Sequence, residues 1–126
     1  MTGFATDVCV PLSALADCVT QTHADINETG LIAPVVGHVG DGNFHVMPLV
    51  DMSNADEIAR VEKFNDRLVQ RALAMGGTCT GEHGVGSGKM KFMEMEHGPG
   101  IAVMAAIKKA LDPYNIFNPG KIIALP

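Results

Sequence analysis

The spacing of the apolar positions predicts three helices along the chain. Between residues 12 and 29, apolar side chains recur at steps of three and four, which is typical of an amphipathic helix, and Gly30 supplies a stop signal. The same periodicity runs through residues 53–75, where Ser53 and an acidic residue three positions later resemble a capping box. Residues 101–111 form a third, strongly apolar helical segment.

The other apolar segments are short and rich in β-branched residues, which predicts strands. They lie at residues 6–10, 33–38, 43–50 and 78–80. With the first two helices they give the order β-α-β-β-α-β. We therefore expect an α+β fold of the ferredoxin-like type, an antiparallel sheet covered on one face by helices, with extra C-terminal helices. A chain of 126 residues fits one domain of this kind.

Two histidines flank the predicted turn between the second and third strands. Asp41-Gly42 between apolar runs favours a two-residue type I′ turn, and folding the chain there would place His38 directly opposite His45. Opposed residues share a face, with Cβ atoms about 4.5–5.5 Å apart. The pair could hold a divalent cation, or be an ordinary cross-strand pair at the surface or in the core. Asn43 is either a turn residue or a residue that orders a ligand.

A glycine-rich loop at residues 81–88 adds a carboxylate and an imidazole to the candidate site. Glu82 and His83 are neighbours that point in different directions on an extended backbone, so one could bind a metal while the other handles protons. A polar loop with glycines used only for turns is the alternative interpretation. Three protein ligands and an open position are typical of catalytic zinc sites, and a His₂Glu set also suits Mn²⁺ or Fe²⁺. The loop lacks the P-loop pattern, so we expect no nucleotide binding by this chain alone.

Composition limits the classes of partner. A net charge of −5 gives no electrostatic reason to expect nucleic acid or an anionic membrane surface. Three cysteines without C-x-x-C spacing favour reduced thiols and a cytoplasmic compartment, with peripheral contact to the inner membrane left open through another domain. No apolar run approaches the roughly 20 residues needed to span a bilayer. The N-terminus also lacks the basic and apolar regions of a signal peptide.

Four motifs stand out in order along the chain. They are Thr6-Asp-Val-Cys-Val-Pro-Leu-Ser, Gly37-His-Val-Gly-Asp-Gly-Asn-Phe-His45, Thr78-Cys-Thr-Gly-Glu-His-Gly-Val-Gly86, and Leu111-Asp-Pro with Asn118-Pro-Gly-Lys121. Together they resemble the FAD-linked oxidases of D-2-hydroxy acids, and most of all the cytochrome-type D-lactate dehydrogenases. Glycolate oxidase subunits and D-2-hydroxyglutarate dehydrogenases look similar to a lesser degree. The resemblance covers essentially the whole chain.

The resemblance implies that the chain is the C-terminal part of a cap, or substrate, domain. The FAD-binding domain that family members carry before this part has no counterpart here. Where some relatives use an asparagine to contact substrate, this chain has Met47, which cannot donate a hydrogen bond. The implied site residues are His38, His45 and Glu82 for a metal, His83 as the substrate-contacting base, Asn43 and Met47 on the substrate side, and Asn118 and Lys121 towards the cofactor.

The reaction implied by the resemblance is the oxidation of a small 2-hydroxy acid, first of all D-lactate, to the 2-oxo acid with hydride transfer to FAD. A divalent metal, zinc or else manganese or iron, would bind the substrate, and the chain alone would be inactive. The alternatives are a member similar to glycolate oxidase subunits or to D-2-hydroxyglutarate dehydrogenases, and a non-catalytic ferredoxin-like binding or oligomerisation module. The electron acceptor is not indicated. Apolar surface that the absent domain would cover predicts self-association.

Overall fold

The computed structural model describes residues 1–125, which divide into two compact units after Glu82. The first unit contains the strands β1 (Thr2–Gly3), β2 (Val8–Cys9), β3 (Val35–His38), β4 (Asn43–Val46) and β5 (Leu49–Val50), and the helices α1 (Leu12–Thr29) and α2 (Ala55–Ala74). The second unit contains the helices α3 (Met93–His97) and α4 (Gly100–Leu111). Short 3₁₀ turns occupy Val39–Asp41 and Met90–Phe92.

The main sheet has the strand order β2-β4-β3, with antiparallel neighbours. A bridge between Cys9 and Thr78 places the segment after α2 on the other side of β2. The four β segments, numbered 1 to 4 along the chain, are β2, β3, β4 and the segment at Thr78. Their order across the sheet is 4-1-3-2. This arrangement confirms the ferredoxin-like α+β fold. The strand predicted at residues 78–80 is reduced to that bridge, and β1 pairs separately with β5.

The two faces of the central strand β4 differ, since one carries apolar side chains of the hydrophobic core and the other carries polar side chains. Phe44 and Val46 are 1% and 0% exposed, and both belong to the core with Val8. Because side chains alternate along a strand, Asn43 and His45 point to the opposite face. Both are buried there as well. The alternation that builds the core therefore also directs the polar side chains of β4 to the other face of the sheet.

Helix α1 has the predicted bounds, and Gly30 closes it in the left-handed region at a φ of +66°. A charged cluster joins α1 to α2. The carboxylate of Asp25 accepts hydrogen bonds from Nε of Arg67 at 2.9 and 3.1 Å and from a terminal nitrogen of Arg71 at 2.9 Å. Burial raises the pKa of Asp25, but the hydrogen bonds and charges of the two arginines outweigh it and hold that pKa below its ordinary value.

The predicted capping box of α2 is wrong, because the N-cap is Asn54 and not Ser53. The side-chain oxygen of Asn54 accepts hydrogen bonds from the N–H groups of Asp56 and Glu57, at 3.1 and 3.2 Å. Ser53 instead donates its N–H and its hydroxyl to Asp51, at 2.9 and 2.7 Å. Serine and asparagine are comparable caps. Because Ser53 donates its hydrogen bonds to Asp51 in the preceding turn, Asn54 is the N-cap.

The predicted hairpin between β3 and β4 forms, but its register is wrong by two residues. His38 pairs with Asn43 and not with His45, and a four-residue loop ending at Gly42 replaces the two-residue turn. A type I′ turn would need Asp41 at positive φ, which is unfavourable for a residue with a Cβ. The longer loop keeps Asp41 in a 3₁₀ turn and places Gly42 at a φ of +76°. Because the slip is two residues, the two histidines still share a face.

Candidate metal centre

Three potential metal ligands meet in the first unit, at the ends of β3 and β4 and at the end of the unit itself. One ligand atom each from His38, His45 and Glu82 lies within 4.8 Å of the other two. Nδ1 of His38 is 3.7 Å from one carboxylate oxygen of Glu82, and Nε2 of His45 is 3.1 Å from the other. Ligand atoms about 2.1 Å from a tetrahedral ion lie about 3.4 Å from one another. The spacing of the three side chains therefore fits a divalent cation.

The orientation of His45 also fits a cation. Its Nδ1 lies 3.0 Å from the carbonyl oxygen of Thr6, which can only accept, so Nδ1 is the donor of this hydrogen bond and Nε2 is the ring nitrogen that faces Glu82. A neutral imidazole nitrogen and a carboxylate oxygen this close repel each other unless a proton or a cation lies between them. A backbone carbonyl that holds the second ring nitrogen is typical of metal-binding histidines. The side chain of His45 is 11% exposed, whereas that of His38 is 63% exposed, so one side of the group faces solvent.

Asp7, which sequence reasoning missed, holds the loop that carries Glu82. Its carboxylate is 1% exposed and accepts hydrogen bonds from the N–H of Gly81 at 2.8 Å, the N–H of Glu82 at 3.1 Å and the hydroxyl of Thr80 at 3.2 Å. It also lies 3.5 Å from Nδ1 of His45. These loop partners are 73–75 positions away in sequence, so no local pattern reports the contact. The available signal was an acidic residue inside a β-prone segment, where acids are rare and seldom buried unpaired.

Gly81 is required by a close approach between the loop and β4. A Cβ at this position would lie 2.2 Å from Oδ1 of Asn43 and 2.6 Å from Oδ1 of Asp7, whereas ordinary contacts begin at 3.4 Å. Asn43 lies in β4 and not in the turn, and it is 6% exposed. Its Oδ1 is buried without a hydrogen-bond partner among the described residues. Such an acceptor is suited to receive a hydrogen bond from a water or a ligand.

The two other residues assigned to the substrate, His83 and Met47, are both exposed. His83 is the first residue of the second unit and directly follows Glu82 in the chain. Met47 follows β4, and its N–H donates to the carbonyl of Pro34 at 2.9 Å. Their roles in substrate binding stay predictions.

The second unit has its own cavity, of about 600 Å³, along α4 and the segment that follows. Asn118 and Lys121, predicted to lie towards the cofactor, both line it, and most of the other lining side chains are apolar. Several large side chains of this unit are exposed, namely Val103, Ile107, Leu111, Tyr114, Ile116 and Phe117. Apolar walls with a few polar groups are typical of cavities that bind small organic ligands.

Asp112 organises one wall of this cavity. Its carboxylate accepts hydrogen bonds from the N–H groups of Ile116 and Phe117, both at 2.9 Å, and pairs with the ammonium of Lys108. The hydrogen bond from Lys108, followed by those from the two N–H groups, holds the pKa of Asp112 below its ordinary value despite the cost of burial. The second unit thus contains a carboxylate that fixes a loop in the same manner as Asp7.

With this geometry in hand, the class of protein follows from a comparison with known families. Residues 1–122 match the family described as FAD linked oxidases, C-terminal domain. The match spans nearly the whole chain, so the chain belongs to this family, and the resemblance drawn from the four motifs is confirmed.

Individual relatives carry names of two related kinds. The chain is 50% identical over 124 residues to a probable mitochondrial D-lactate dehydrogenase of Danio rerio, which is 98% of this chain and 25% of the relative. It is 48% identical over 119 residues to the mitochondrial D-lactate dehydrogenase (cytochrome) of Arabidopsis thaliana, with 94% and 21% covered. It is 41% identical over 119 residues to the glycolate oxidase subunit GlcD of Bacillus subtilis, with 94% and 25% covered. The chain thus spans between a fifth and a quarter of these relatives.

Two observations concern the location of the protein in the cell. Within residues 1–125, every helix is too short or too polar to cross a membrane. Two of the relatives above are named as mitochondrial proteins. The cytoplasmic compartment expected for this chain, and its contact with an inner membrane, stay predictions.

Proposed function

We propose that this chain is the metal- and substrate-binding part of a flavoprotein that oxidises a D-2-hydroxy acid, with D-lactate as the first candidate, to the 2-oxo acid. The observation that carries the proposal is the convergence of His38, His45 and Glu82, with Nε2 of His45 directed at the shared centre. Membership of the FAD-linked oxidase family and the names of the D-lactate dehydrogenase relatives support the reaction class. FAD would be held mainly by an N-terminal domain of the kind that the longer relatives have room for.

The three ligands leave at least one position for substrate. Two imidazole nitrogens and a carboxylate are a typical set for zinc, and also suit manganese or iron, with open coordination positions. When bound, the metal would act as a Lewis acid on the substrate hydroxyl and the flavin would accept the hydride. The solvent-exposed side of the group, next to His38, is where a small carboxylate could approach. The buried Oδ1 of Asn43 would accept a hydrogen bond from substrate or from an ordered water.

The proton leaves through His83 in this proposal. A histidine accepts protons near neutral pH, and His83 directly follows the proposed ligand Glu82 in the chain. Met47 offers only an apolar contact, which suits the methyl group of lactate better than a polar substrate side chain. This supports D-lactate over the D-2-hydroxyglutarate alternative.

The cavity of the second unit is proposed as the surface for the cofactor-bearing domain. Lys121 supplies a positive charge and Asn118 a hydrogen-bonding amide in a mostly apolar lining, where the other charged residues, Lys108 and Asp112, are paired with each other. Both would contact the flavin side of the assembly. In a protein that joins this chain to its FAD-binding domain, Lys121→Ala should lower the retained FAD, measured from the flavin absorbance per protein after gel filtration.

Metal binding by the chain itself is the first test. Titration calorimetry with Zn²⁺ and with Mn²⁺ should find about one ion per chain, and His45→Ala should abolish binding because it removes a ligand. His23→Ala is the matched control, since His23 is an exposed histidine on α1 outside the ligand set. A wild-type chain that binds neither ion, or a His45→Ala chain that binds as well as the control, would contradict the ligand assignment.

The catalytic role of His83 is tested in the protein that carries the FAD-binding domain as well. His83→Gln should lower kcat for D-lactate by about 10²- to 10⁴-fold, the usual contribution of a general base. The bound flavin and the metal content should not change, because His83 is neither a cofactor contact nor a metal ligand in this proposal. Equal kcat values for variant and wild type would remove the base from the mechanism.

A non-catalytic binding or oligomerisation module is the second candidate, favoured by the exposed apolar side chains of α4 and its following segment. Large exposed apolar patches mark surfaces that bind another protein surface. Size-exclusion chromatography of the chain with and without a chelator separates the candidates. Self-association that is equal with and without the chelator, together with a lack of metal binding, would favour the binding or oligomerisation module.

A further inference from the structure

Asp7 occupies an unusual position for a carboxylate, buried beside a ligand set that already contains one. It is 1% exposed and lies next to both Glu82 and His45. Burying a carboxylate is costly unless hydrogen bonds compensate for the lost water. Here the N–H groups of Gly81 and Glu82 and the hydroxyl of Thr80 do so. A group with this cost and this location needs a role in the placement of its neighbours.

The geometry argues against a role for Asp7 as a ligand. Its carboxylate lies 3.5 Å from Nδ1 of His45, the ring nitrogen opposite to the Nε2 that faces Glu82. Its hydrogen bonds reach the backbone of Glu82 and not the carboxylate that enters the ligand set. Asp7 therefore lies against two proposed ligands, at the backbone N–H of Glu82 and at Nδ1 of His45, on the side away from the shared centre.

We propose that Asp7 is the positioning residue of the metal centre, which fixes the backbone at Glu82 and supports the ring of His45 from its Nδ1 side. The inference rests on the proposed function, because it presumes that the ligand set binds a metal. Residues that orient metal ligands in this way change metal affinity by about 10- to 100-fold when replaced. Since two ligands depend on Asp7, the effect should appear in metal affinity even where the fold survives.

The test is calorimetric titration of the full chain with Mn²⁺ and with Zn²⁺, well below the thermal midpoint. Asp7→Asn keeps the volume and one acceptor oxygen but replaces the other with an NH₂ group. At the Oδ2 position this group opposes the donors of the loop, and at the Oδ1 position it opposes the N–H of Glu82 and Nδ1 of His45. We expect its metal Kd to rise by about 10- to 100-fold. Asp112→Asn is the matched control, because Asp112 also holds loop N–H groups but belongs to the second unit. It should keep the wild-type Kd, although both variants lower the thermal midpoint.

The outcomes separate this inference from the proposed function. If the wild-type chain binds neither ion, the metal centre itself fails. If the wild type binds and Asp7→Asn binds with the same Kd, the positioning role is overturned while the ligand set stands. If Asp7→Asn does not fold, Thr80→Val decides, because it removes a single hydrogen bond to Asp7 and nearly keeps the side-chain shape. A raised metal Kd in Thr80→Val supports the inference, and an unchanged Kd overturns it.

Discussion

Replacing Gly81 by alanine adds one methyl group at the tightest point between the loop and β4. The new Cβ would lie 2.2 Å from Oδ1 of Asn43, 2.5 Å from its Cγ and 2.6 Å from Oδ1 of Asp7. Ordinary contacts begin at 3.4 Å, so the shortest distance falls more than 1 Å short. Asn43 and Asp7 are 6% and 1% exposed, so neither can move out into solvent. The strain must be relieved mainly by a shift of the loop backbone.

That shift has two different costs. Overpacking of this kind typically destabilises a fold by about 1–3 kcal/mol. Glu82 is the next residue, so its carboxylate would move by a distance of the order of 1 Å, whereas metal–ligand distances tolerate only about 0.2 Å. We therefore expect Gly81→Ala to weaken metal binding by more than about tenfold, a larger relative loss than the fold itself suffers.

The assay combines urea denaturation, which gives the free energy of unfolding, with calorimetric titration of Mn²⁺ into the folded chain. Gly88→Ala is the matched control, because Gly88 lies in the same glycine-rich segment and an added Cβ there meets nothing within 4 Å. The control should keep the wild-type metal Kd. If Gly81→Ala binds Mn²⁺ as tightly as Gly88→Ala does, the loop is not held in place by this close approach.

Two further predictions concern the fold. Asp25→Asn should destabilise the chain by about 2 kcal/mol at pH 7, through lost hydrogen bonds to charged groups. Because the folded-state pKa of Asp25 is lowered, this contribution is present above the unfolded value of about 3.9 and disappears as the pH falls through the folded value. Urea denaturation of wild type and variant should therefore converge below about pH 4, and a pH-independent gap would contradict the ion pairing. Asn54→Ala should cost about 1 kcal/mol, and Ser53→Ala less than about 0.5 kcal/mol; equal losses would contradict the assigned cap.

The helices and the fold class could be predicted from the sequence, because both follow from the local periodicity of the apolar residues. The apolar spacing of residues 12–29 defined α1 at both ends, and Gly30 marked its stop by a property of glycine alone. The cap of α2 was less determined, since Ser53 and Asn54 are both suitable residues. Only the hydrogen bonds that Ser53 donates to Asp51 decide between them.

The site residues that lie in local motifs could be predicted from the sequence. Those that act through contacts between distant segments could not. Type and spacing singled out the two histidines with either Glu82 or His83, and the family resemblance implied Glu82. The structure brings the side chains of His38, His45 and Glu82 together. The exact pairing of the two histidines was not predictable, because Asp41-Gly42 is compatible with both a two-residue and a four-residue loop. Asp7 remained hidden because its partners lie at the other end of the unit.

The two-residue slip of the hairpin has a consequence for how this family can vary. Pleating makes a strand sensitive to the parity of its alignment, so shifting β3 against β4 by an even number of residues would leave both imidazoles on one side of the sheet. An odd shift would turn one of them to the core side of the sheet, beside Phe44. We therefore expect the alignments of this hairpin that keep both histidines together to differ by steps of two residues.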